Sequence, residues 1–339
     1  MKIVAQHTQE LSNTFRVSQK TVILTHWSPD GDAMGSSLGL YHFLQQQKHS
    51  VTVITPNAYP SFLFWLPGNK KSLNFSTQPT QAKQAIAEAE VLFLLDFSSL
   101  KRIGDLGALV EQSSALKIMI DHHPQPDAIA DYLLHDIKAS STCELVFDFI
   151  QLLGSKKKLN KATATCLYAG IMTDTGSFRF PATSAKTHRV VAALIDSGAD
   201  NAGIHSAIYD EHTESRIKLL GYCLSEKLKV FPEYNTAFIS LSTEDLQLFN
   251  YKRGDTEGVV NYALSIAKIR FAVFFVERDG VIKVSFRSKG SFDVNNFARS
   301  HFEGGGHANA SGGASHLSLD ETVLKFIQLL PAYKVALNS

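Results

Sequence analysis

The sequence is poor in cysteine. Three cysteines, Cys143, Cys166 and Cys223, stand among 339 residues. Their number is odd and no two have a metal-binding spacing, which argues against a disulfide framework and against a thiolate zinc site. Each lies in a segment of helical pattern, so we expect buried, reduced thiols and a cytoplasmic setting.

An excess of charge of either sign is also missing, since the formal net charge is +1 at pH 7. Binding of long duplex nucleic acid relies on a strong positive field, so that partner is not expected. A local basic pocket for a small anionic substrate is compatible with this balance. The sequence does not determine the oligomeric state, and a homodimer is compatible with it.

Long apolar runs are absent as well. No run approaches the roughly 20 residues that span a bilayer. The N-terminal residues 1–7 lack the continuous apolar stretch of a signal peptide. We therefore expect no membrane partner.

Hydrophobic residues nevertheless make up 44% of the chain, enough for ordinary globular cores. The length favours two domains. In the first half, short apolar runs alternate with stretches of helical period, which predicts an α/β fold with a parallel sheet and helices on both faces. The predicted strands are 21–25, 51–55, 91–95 and 117–120, and the predicted helices are 34–48, 82–89 and 105–112.

Helical patterns dominate from 142 to 227, and strands return from 230. The predicted helices of the middle region are 142–153, 161–173, 186–197, 202–209 and 214–227, with Lys156-Lys-Lys158 in a solvated loop. The predicted strands of the last region are 236–241, 271–276 and 281–286, and its helices are 257–266, 293–301 and 320–330. Arg278-Asp279-Gly280 predicts a hairpin turn between the last two strands. The end of the chain is thus a smaller α+β domain.

Carboxylates and imidazoles gather at positions where we expect strands to end. Three of the clusters follow apolar runs of the first half, on loops, and a last carboxylate, Asp174, comes later in the chain. The set is His26, Asp30, Asp32, Asp96, Asp121, His122, His123 and Asp174. Carboxyl ends of parallel strands meet at one edge of a sheet, so these side chains should converge. Clustered carboxylates repel each other and lose hydration unless cations neutralise them. Oxygen and imidazole ligands without thiolate favour Mg²⁺, Mn²⁺ or Co²⁺ over structural zinc, and two cations can share a bridging carboxylate.

Structural roles compete with this interpretation. Asp30 and Asp32 beside Gly31 are also typical of turns and helix caps, and Asp96 is typical of a cap. Asp174 could end a helix in a Gly-rich turn. Two adjacent imidazoles after a buried strand, however, have no obvious packing role, so a structural role for all four clusters at once is disfavoured.

In its order, the set resembles that of the DHH phosphoesterases, and Gly304-Gly-Gly-His307-Ala-Asn-Ala-Ser-Gly-Gly313 resembles the end of their DHHA1 substrate-binding domain. Length and motif context are similar to the stand-alone bacterial nanoRNase and 3′-phosphoadenosine-5′-phosphate (pAp) phosphatase group. The resemblance implies a DHH metal-binding catalytic domain at 1–185, a helical connector at 186–229 and a DHHA1 domain at 230–339.

The resemblance also implies roles for individual residues. One Mn²⁺ would be held by His26, Asp30 and Asp96, and the other by Asp32, Asp96, His122 and Asp174, with Asp96 bridging. His123 would contact the scissile phosphate or assist the leaving oxygen, and Asp121 would orient the imidazoles. The substrate's other end would be bound by Arg287, Ser288, Gly305, Gly306 and His307. From the residues alone, Arg287 could equally form a surface salt bridge, and the glycines a plain flexible loop.

The function that this implies is a manganese-dependent phosphoesterase. It would hydrolyse very short oligoribonucleotides to nucleoside monophosphates, remove the 3′-phosphate of pAp to give AMP, or do both. Hydrolysis of cyclic or linear dinucleotides is the alternative within the same chemistry. A nucleotide-binding sensor without catalysis is the alternative outside it, and it predicts an eroded ligand set, whereas every ligand position is present here.

Overall fold

The computed structural model describes residues 5–153 and 159–339, so the predicted lysine loop at 156–158 lies outside the described residues. The chain divides into two compact units, Met1–Glu211 and His212–Ser339. The helical segment predicted as a connector at 186–229 is therefore shared between the two units, its first two helices lying in the first unit and its last in the second.

Six parallel strands form the sheet of the first unit, in the order β3-β2-β1-β4-β5-β6. They are β1 (Lys20–Leu24), β2 (Ser50–Thr55), β3 (Leu73–Asn74), β4 (Val91–Leu95), β5 (Leu116–Asp121) and β6 (Tyr132–His135). The four inner strands are the predicted ones, and the two edge strands were not predicted. All five residues of β4 are apolar and buried, as expected for a strand covered on both faces.

Helices cover both faces of this sheet, which confirms the predicted architecture. They are α1 (Ala5–Thr14), α2 (Gly31–Gln46), α3 (Pro79–Ala87), α4 (Leu106–Gln112), α5 (Thr142–Leu152), α6 (Lys161–Asp174), α7 (Ala185–Asp196) and α8 (Asn201–Tyr209). Alternate strand residues enter different cores: Ile23 and Phe93 pack with α2, α5 and α6, while Val22 and Leu92 pack with α3 and α4.

The second unit has a mixed sheet in the order β11-β12-β10-β9-β8-β7, in which β8 and β9 are parallel and the other pairs antiparallel. Its strands are β7 (Leu228–Phe231), β8 (Thr236–Leu241), β9 (Phe271–Arg278), β10 (Val281–Ser288), β11 (Gly305–His307) and β12 (Ala310–Ser315). The predicted hairpin turn is confirmed, and its loop consists of two residues, Asp279 and Gly280, with φ angles of 54° and 74°.

Helices pack on both faces of the second sheet too. They are α9 (Glu214–Tyr222), which continues as a π-helical turn at Cys223–Lys227, α10 (Thr243–Leu248), α11 (Val259–Ser265), α12 (Val294–His301) and α13 (Leu319–Asn338). The prediction that the last helix ends at 330 is wrong, because α13 continues through Pro331. The buried side chains of Phe326, Leu330 and Leu337 anchor it on both sides of the proline.

Two further expectations concern chemistry that the fold buries. The three cysteines are free and buried. Burial raises the pKa of the Cys223 thiol to about 12, and it also raises the pKa of Cys143 and Cys166. Within the described part of the chain, no helix has the length and apolar character needed to cross a bilayer.

Candidate active site

The predicted side chains do converge at the carboxyl edge of the first sheet, but not all of these residues lie on loops. Asp30 is the N-cap of α2, and its Oδ1 accepts hydrogen bonds from the backbone N–H groups of Asp32 and Ala33 at 3.0 and 3.1 Å. Asp32 lies in the first turn of α2, so its predicted position on a loop is wrong. Asp174 is the last residue of α6 and does not follow a strand.

One group of ligand atoms consists of His26, Asp30 and Asp96, whose donor atoms lie within 4.8 Å of one another. The Nε2 atom of His26 is 3.5 Å from Oδ2 of Asp96 and 3.8 Å from Oδ1 of Asp30. Asp96 follows β4 directly and has a φ of 66°, a left-handed conformation that Asp tolerates better than most residues. The backbone there turns the carboxylate into the cluster.

A second group consists of Asp32, His122 and Asp174, again with donor atoms within 4.8 Å. The Nε2 atom of His122 lies 3.8 Å from Asp32 Oδ2 and 3.5 Å from Asp174 Oδ2. The same nitrogen is 3.6 Å from Oδ1 of Asp96. Asp96 therefore directs one carboxylate oxygen toward each group, which is the arrangement of a shared ligand.

Both imidazoles are oriented from behind by backbone carbonyls. His26 Nδ1 lies 2.9 Å from the carbonyl oxygen of Trp27, and His122 Nδ1 lies 3.3 Å from that of Ala139. A carbonyl accepts only, so Nδ1 carries the proton and donates. The lone pair of Nε2 then faces the carboxylates in each neutral ring, as required of a metal ligand.

The N-terminus of α5 holds two buried carboxylates, Asp32 and Asp96, a contribution that was not predicted. The N–H groups of Thr142 and Cys143 donate to Asp32 at 2.6 and 2.9 Å, and the Thr142 hydroxyl donates to Oδ1 of Asp96 at 2.8 Å. Helix N-termini stabilise anions in this way. The predicted helix start at 142 was the available signal, since it placed unpaired N–H groups next to this edge.

A third contact links the two remaining residues of the set. His123 Nδ1 donates to Oδ1 of Asp121 at 2.8 Å, and Asp121 is fully buried. Burial alone would raise the pKa of Asp121 and lower that of His123. Their hydrogen bond and opposite charges outweigh this, so the pKa of Asp121 is lowered and that of His123 is raised. Asp121 thereby fixes the ring tautomer of His123.

The cluster favours positive charge at its centre. Burial and the neighbouring charge of Asp96 raise the pKa of Asp32 to about 7. Burial lowers the pKa of His26, but its interactions with Asp30 and Asp96 raise it to about 10. Protons are thus retained in the cluster well above the pH at which an exposed carboxyl loses its own, which is what a site that concentrates anionic oxygens is expected to do. Hard oxygen and imidazole donors of this kind fit divalent cations.

Close contact between α2 and α6 sets the distance between Asp32 and Asp174. A Cβ atom at Gly31 would lie 2.3 Å from Thr173 Oγ1, and one at Gly35 would lie 2.6 Å from the carbonyl oxygen of Cys166. On α6, a Cβ at Gly170 would lie 3.1 Å from Asp32 Oδ1. The four-residue spacing of Gly31, Gly35 and Gly39 was the signal in the sequence that could have predicted this contact.

In the second unit, strand register brings two of the predicted substrate-binding residues onto one face of the sheet. Ala310 of β12 pairs with Arg287 of β10 on one side and with His307 of β11 on the other. Directly opposed residues project from the same face, so Arg287 and His307 flank a methyl group across two strand spacings of about 4.8 Å each. Both side chains are half-buried.

The other three predicted residues of this unit have structural contacts. Ser288 is buried, and its hydroxyl donates to the carbonyl of Phe292 at 2.6 Å. Gly305 and Gly306 belong to the edge strand β11, not to a flexible loop, and the N–H of Gly306 donates to Asn295 Oδ1 at 3.0 Å. A Cβ at Gly306 would lie 2.7 Å from the carbonyl oxygen of Ala310, so glycine is required for the strands to approach.

Several known proteins are similar to this chain over most of its length. The bifunctional oligoribonuclease and PAP phosphatase NrnA of Bacillus subtilis is 32% identical over 92% of this chain and 94% of its own length. A crystal structure described as that of an exopolyphosphatase-related protein from Bacteroides fragilis is 42% identical, with a TM-score of 0.94 over 99% of both chains. The cyclic-di-AMP phosphodiesterase GdpP of Bacillus subtilis is 27% identical over 93% of this chain, and the match spans 48% of its length.

Two family models match the two parts of the chain. The N-terminal domain of the DHH family matches residues 20–171, and the DHHA1 domain matches residues 243–331. The first match covers every candidate ligand of the sheet edge except Asp174, and the second covers Arg287 and His307. The chain therefore belongs to the DHH family and combines its N-terminal domain with a DHHA1 domain.

Proposed function

We propose that this protein is a phosphoric ester hydrolase that depends on two divalent cations. The single observation that supports this most is the position of Asp96, whose two carboxylate oxygens point toward separate His/Asp groups. His26 and Asp30 would complete the first metal position. Asp32, His122 and Asp174 would complete the second. The donor set suits Mn²⁺, and Mg²⁺ or Co²⁺ would also fit it.

The residues around these positions would prepare the reaction. Bound there, two cations supply charge neutralisation for phosphoryl oxygens and lower the pKa of an attacking water. His26 and His122 keep Nε2 directed at the cluster because carbonyls hold Nδ1. His123, with its Nδ1–H donated to Asp121, is left with Nε2 for the scissile phosphate or for the leaving oxygen.

We propose two kinds of substrate. Very short oligoribonucleotides would be hydrolysed to nucleoside monophosphates, and pAp would be converted to AMP. Near-complete coverage of the NrnA relative supports this substrate class. Arg287 and His307 would bind the non-scissile end, Arg287 through paired hydrogen bonds to a phosphate. Ser288, Gly305 and Gly306 would position these two side chains through the contacts described above.

A second candidate is the hydrolysis of cyclic or linear dinucleotides. It is favoured by the GdpP relative, which is matched across 93% of this chain. The same residues would hold the cations, and the same type of phosphate ester bond would be cleaved. Only the part of the substrate that the second unit holds would differ. Because the similar Bacteroides fragilis protein is described as exopolyphosphatase-related, inorganic polyphosphate is a third compound for direct comparison.

The test is a substrate panel with the full-length protein and Mn²⁺. It compares pAp, di- to pentaribonucleotides, cyclic dinucleotides and polyphosphate by release of nucleoside monophosphate or phosphate. We expect short RNA and pAp to have the highest kcat/KM. A clear preference for cyclic dinucleotides would replace the first candidate by the second, and nucleotide binding without metal-dependent turnover would leave only a sensor.

Asp96→Asn is the matching variant, because Asn keeps the size and tolerates the left-handed backbone. Its loss of activity should exceed the roughly 10–100-fold that removal of an outer partner of a metal ligand costs. Asp105→Asn, at an exposed position whose side chain makes no cap hydrogen bond, is the control and should retain activity.

A further inference from the structure

A cavity of about 290 Å³ in the second unit is lined by three cationic side chains. Lys268, Arg270 and Lys289 surround it together with Ile269 and Gly290. No ion pair or side-chain hydrogen bond of these three cations occurs within the described residues, although other lysines of the unit, such as Lys227, are paired with acids. Three like charges around one concavity repel each other, so an anion bound between them would be stabilised.

Strand register relates the residues of this cavity to Arg287. Arg287 pairs with Ala272, and Ser288 pairs with Phe271. The N–H of Lys289 then donates to the carbonyl oxygen of Arg270 at 2.8 Å, so the pairing continues one residue beyond β10. Because side chains alternate along a strand, Lys289 and Arg270 share the face of Arg287.

Spacing along the strand indicates a chain of anionic groups. Two residues of a strand span about 6.6–6.8 Å, so Lys289 follows Arg287 at that interval. On the same face, Arg287 is flanked by small residues, the buried Ala272 of β9 on one side and Ala310 of β12 on the other. The face therefore presents cations two residues apart, with only small side chains next to Arg287.

We propose that the cavity formed by Lys268, Arg270 and Lys289 is a second phosphate subsite, which binds the next backbone phosphate of an oligoribonucleotide that is too long to end at Arg287 and His307. This inference depends on the proposed function, since it assumes RNA as the substrate. It adds a physical reason for discrimination by length: pAp and dinucleotides end before the cavity, whereas three or more nucleotides reach it. Arg270 supplies a planar fork for phosphate oxygens, and the two lysines add mobile charges.

The test measures binding apart from hydrolysis. Affinities of the full-length protein for labelled pAp, di-, tri- and pentaribonucleotides are determined by fluorescence anisotropy in EDTA at several salt concentrations. Wild type should bind tri- and pentaribonucleotides more tightly than the dinucleotide. Lys268→Gln combined with Lys289→Gln should remove about 5- to 20-fold of the pentaribonucleotide affinity. Each lost phosphate contact should also make the slope of log affinity against log salt concentration shallower by about 0.7.

Lys229→Gln combined with Lys252→Gln is the matched control, because it removes the same charge at exposed positions of this unit. It should change pentaribonucleotide affinity less than twofold. Equal affinity of wild type for all lengths, or equal losses for pAp and pentaribonucleotide in the cavity variant, would overturn the subsite. Tighter binding of an acidic peptide than of RNA would assign the cavity to a protein partner and overturn it as well. Failure of the proposed function would show separately, as absence of hydrolysis by the wild type with Mn²⁺.

Discussion

At the scale of single residues, Asp121 illustrates how a buried charge can act through its neighbour. It is fully buried, its Oδ1 accepts from His123, and its Oδ2 has no hydrogen-bond partner among the described residues. A buried carboxylate without full compensation is costly to keep. We therefore infer that Asp121 acts through His123. It fixes the ring tautomer of His123 and stabilises the imidazolium when that ring receives a proton.

Asp121→Asn should lower kcat on short oligoribonucleotides by at least about 100-fold, within the usual range for general acid–base groups, while KM changes little. The amide can donate to Nδ1 and so permits the wrong tautomer of His123. Steady-state kinetics on a dinucleotide checks this. Asp127→Asn, an exposed carboxylate in the same loop region, is the control. A variant of Asp121 with normal kcat would show that His123 takes no part in proton transfer.

At the scale of elements, the contact between α2 and α6 determines whether the two ligand groups can coexist. Gly35→Ala would place a Cβ 2.6 Å from the carbonyl oxygen of Cys166 and 3.0 Å from the Cα of Gly170. Because backbone atoms cannot move aside cheaply, the helices must separate. We expect destabilisation by about 1–3 kcal/mol, as is typical of overpacking, together with loss of activity.

Gly221→Ala provides the comparison at a helical position with open space around it. Apart from its chain neighbours and the backbone of its own helix, no atom of the described residues lies within 4 Å of a Cβ at Gly221, so this variant should be neutral or stabilised by up to about 1 kcal/mol. Chemical denaturation of both variants measures the difference. If Gly35→Ala were as stable and active as wild type, the glycine contact would not be what holds Asp32 and Asp174 together.

Elements with a strong apolar pattern were predictable, and elements formed by tertiary contact were not. β4 and β5 follow from their apolar runs, and Asp96 and Asp121 follow from where those runs end. β12 consists of Ala310-Ser-Gly-Gly-Ala-Ser315, residues with little strand preference, and it exists because β10 and β11 pair with it on both sides. α13 passes Pro331 because its apolar residues are buried beyond that point.

The candidate site divides in the same way. The ligand types and their order were readable from the sequence, since chain order and strand ends suffice to bring them together. The sequence predicts a helix start at 142, but it does not tell where the Thr142 and Cys143 N–H groups point once α5 packs beside β5. The continuous row from Arg287 to Lys289 likewise requires a register that no single strand specifies.

At the scale of the whole molecule, the proposed cation-binding residues all lie in the first of two compact units. A ligand that binds only the native state stabilises it by about 2.7 kcal/mol at 100 times its Kd. For a unit of this size, that is a rise in Tm of roughly 5–11 °C. Addition of Mn²⁺ to metal-free protein should therefore raise the unfolding transition of the first unit, whereas the transition of the second unit should stay where it is.

Differential scanning calorimetry with and without Mn²⁺ measures the shift, and EDTA should reverse it. Asp96→Asn should reduce the shift most, because one substitution weakens both metal positions, while Asp174→Asn should leave the first position intact and reduce it less. Equal effects of the two substitutions would contradict a shared ligand. A Mn²⁺ shift confined to the second unit would place the cation site away from the sheet edge altogether, and the two-metal mechanism would fall with it.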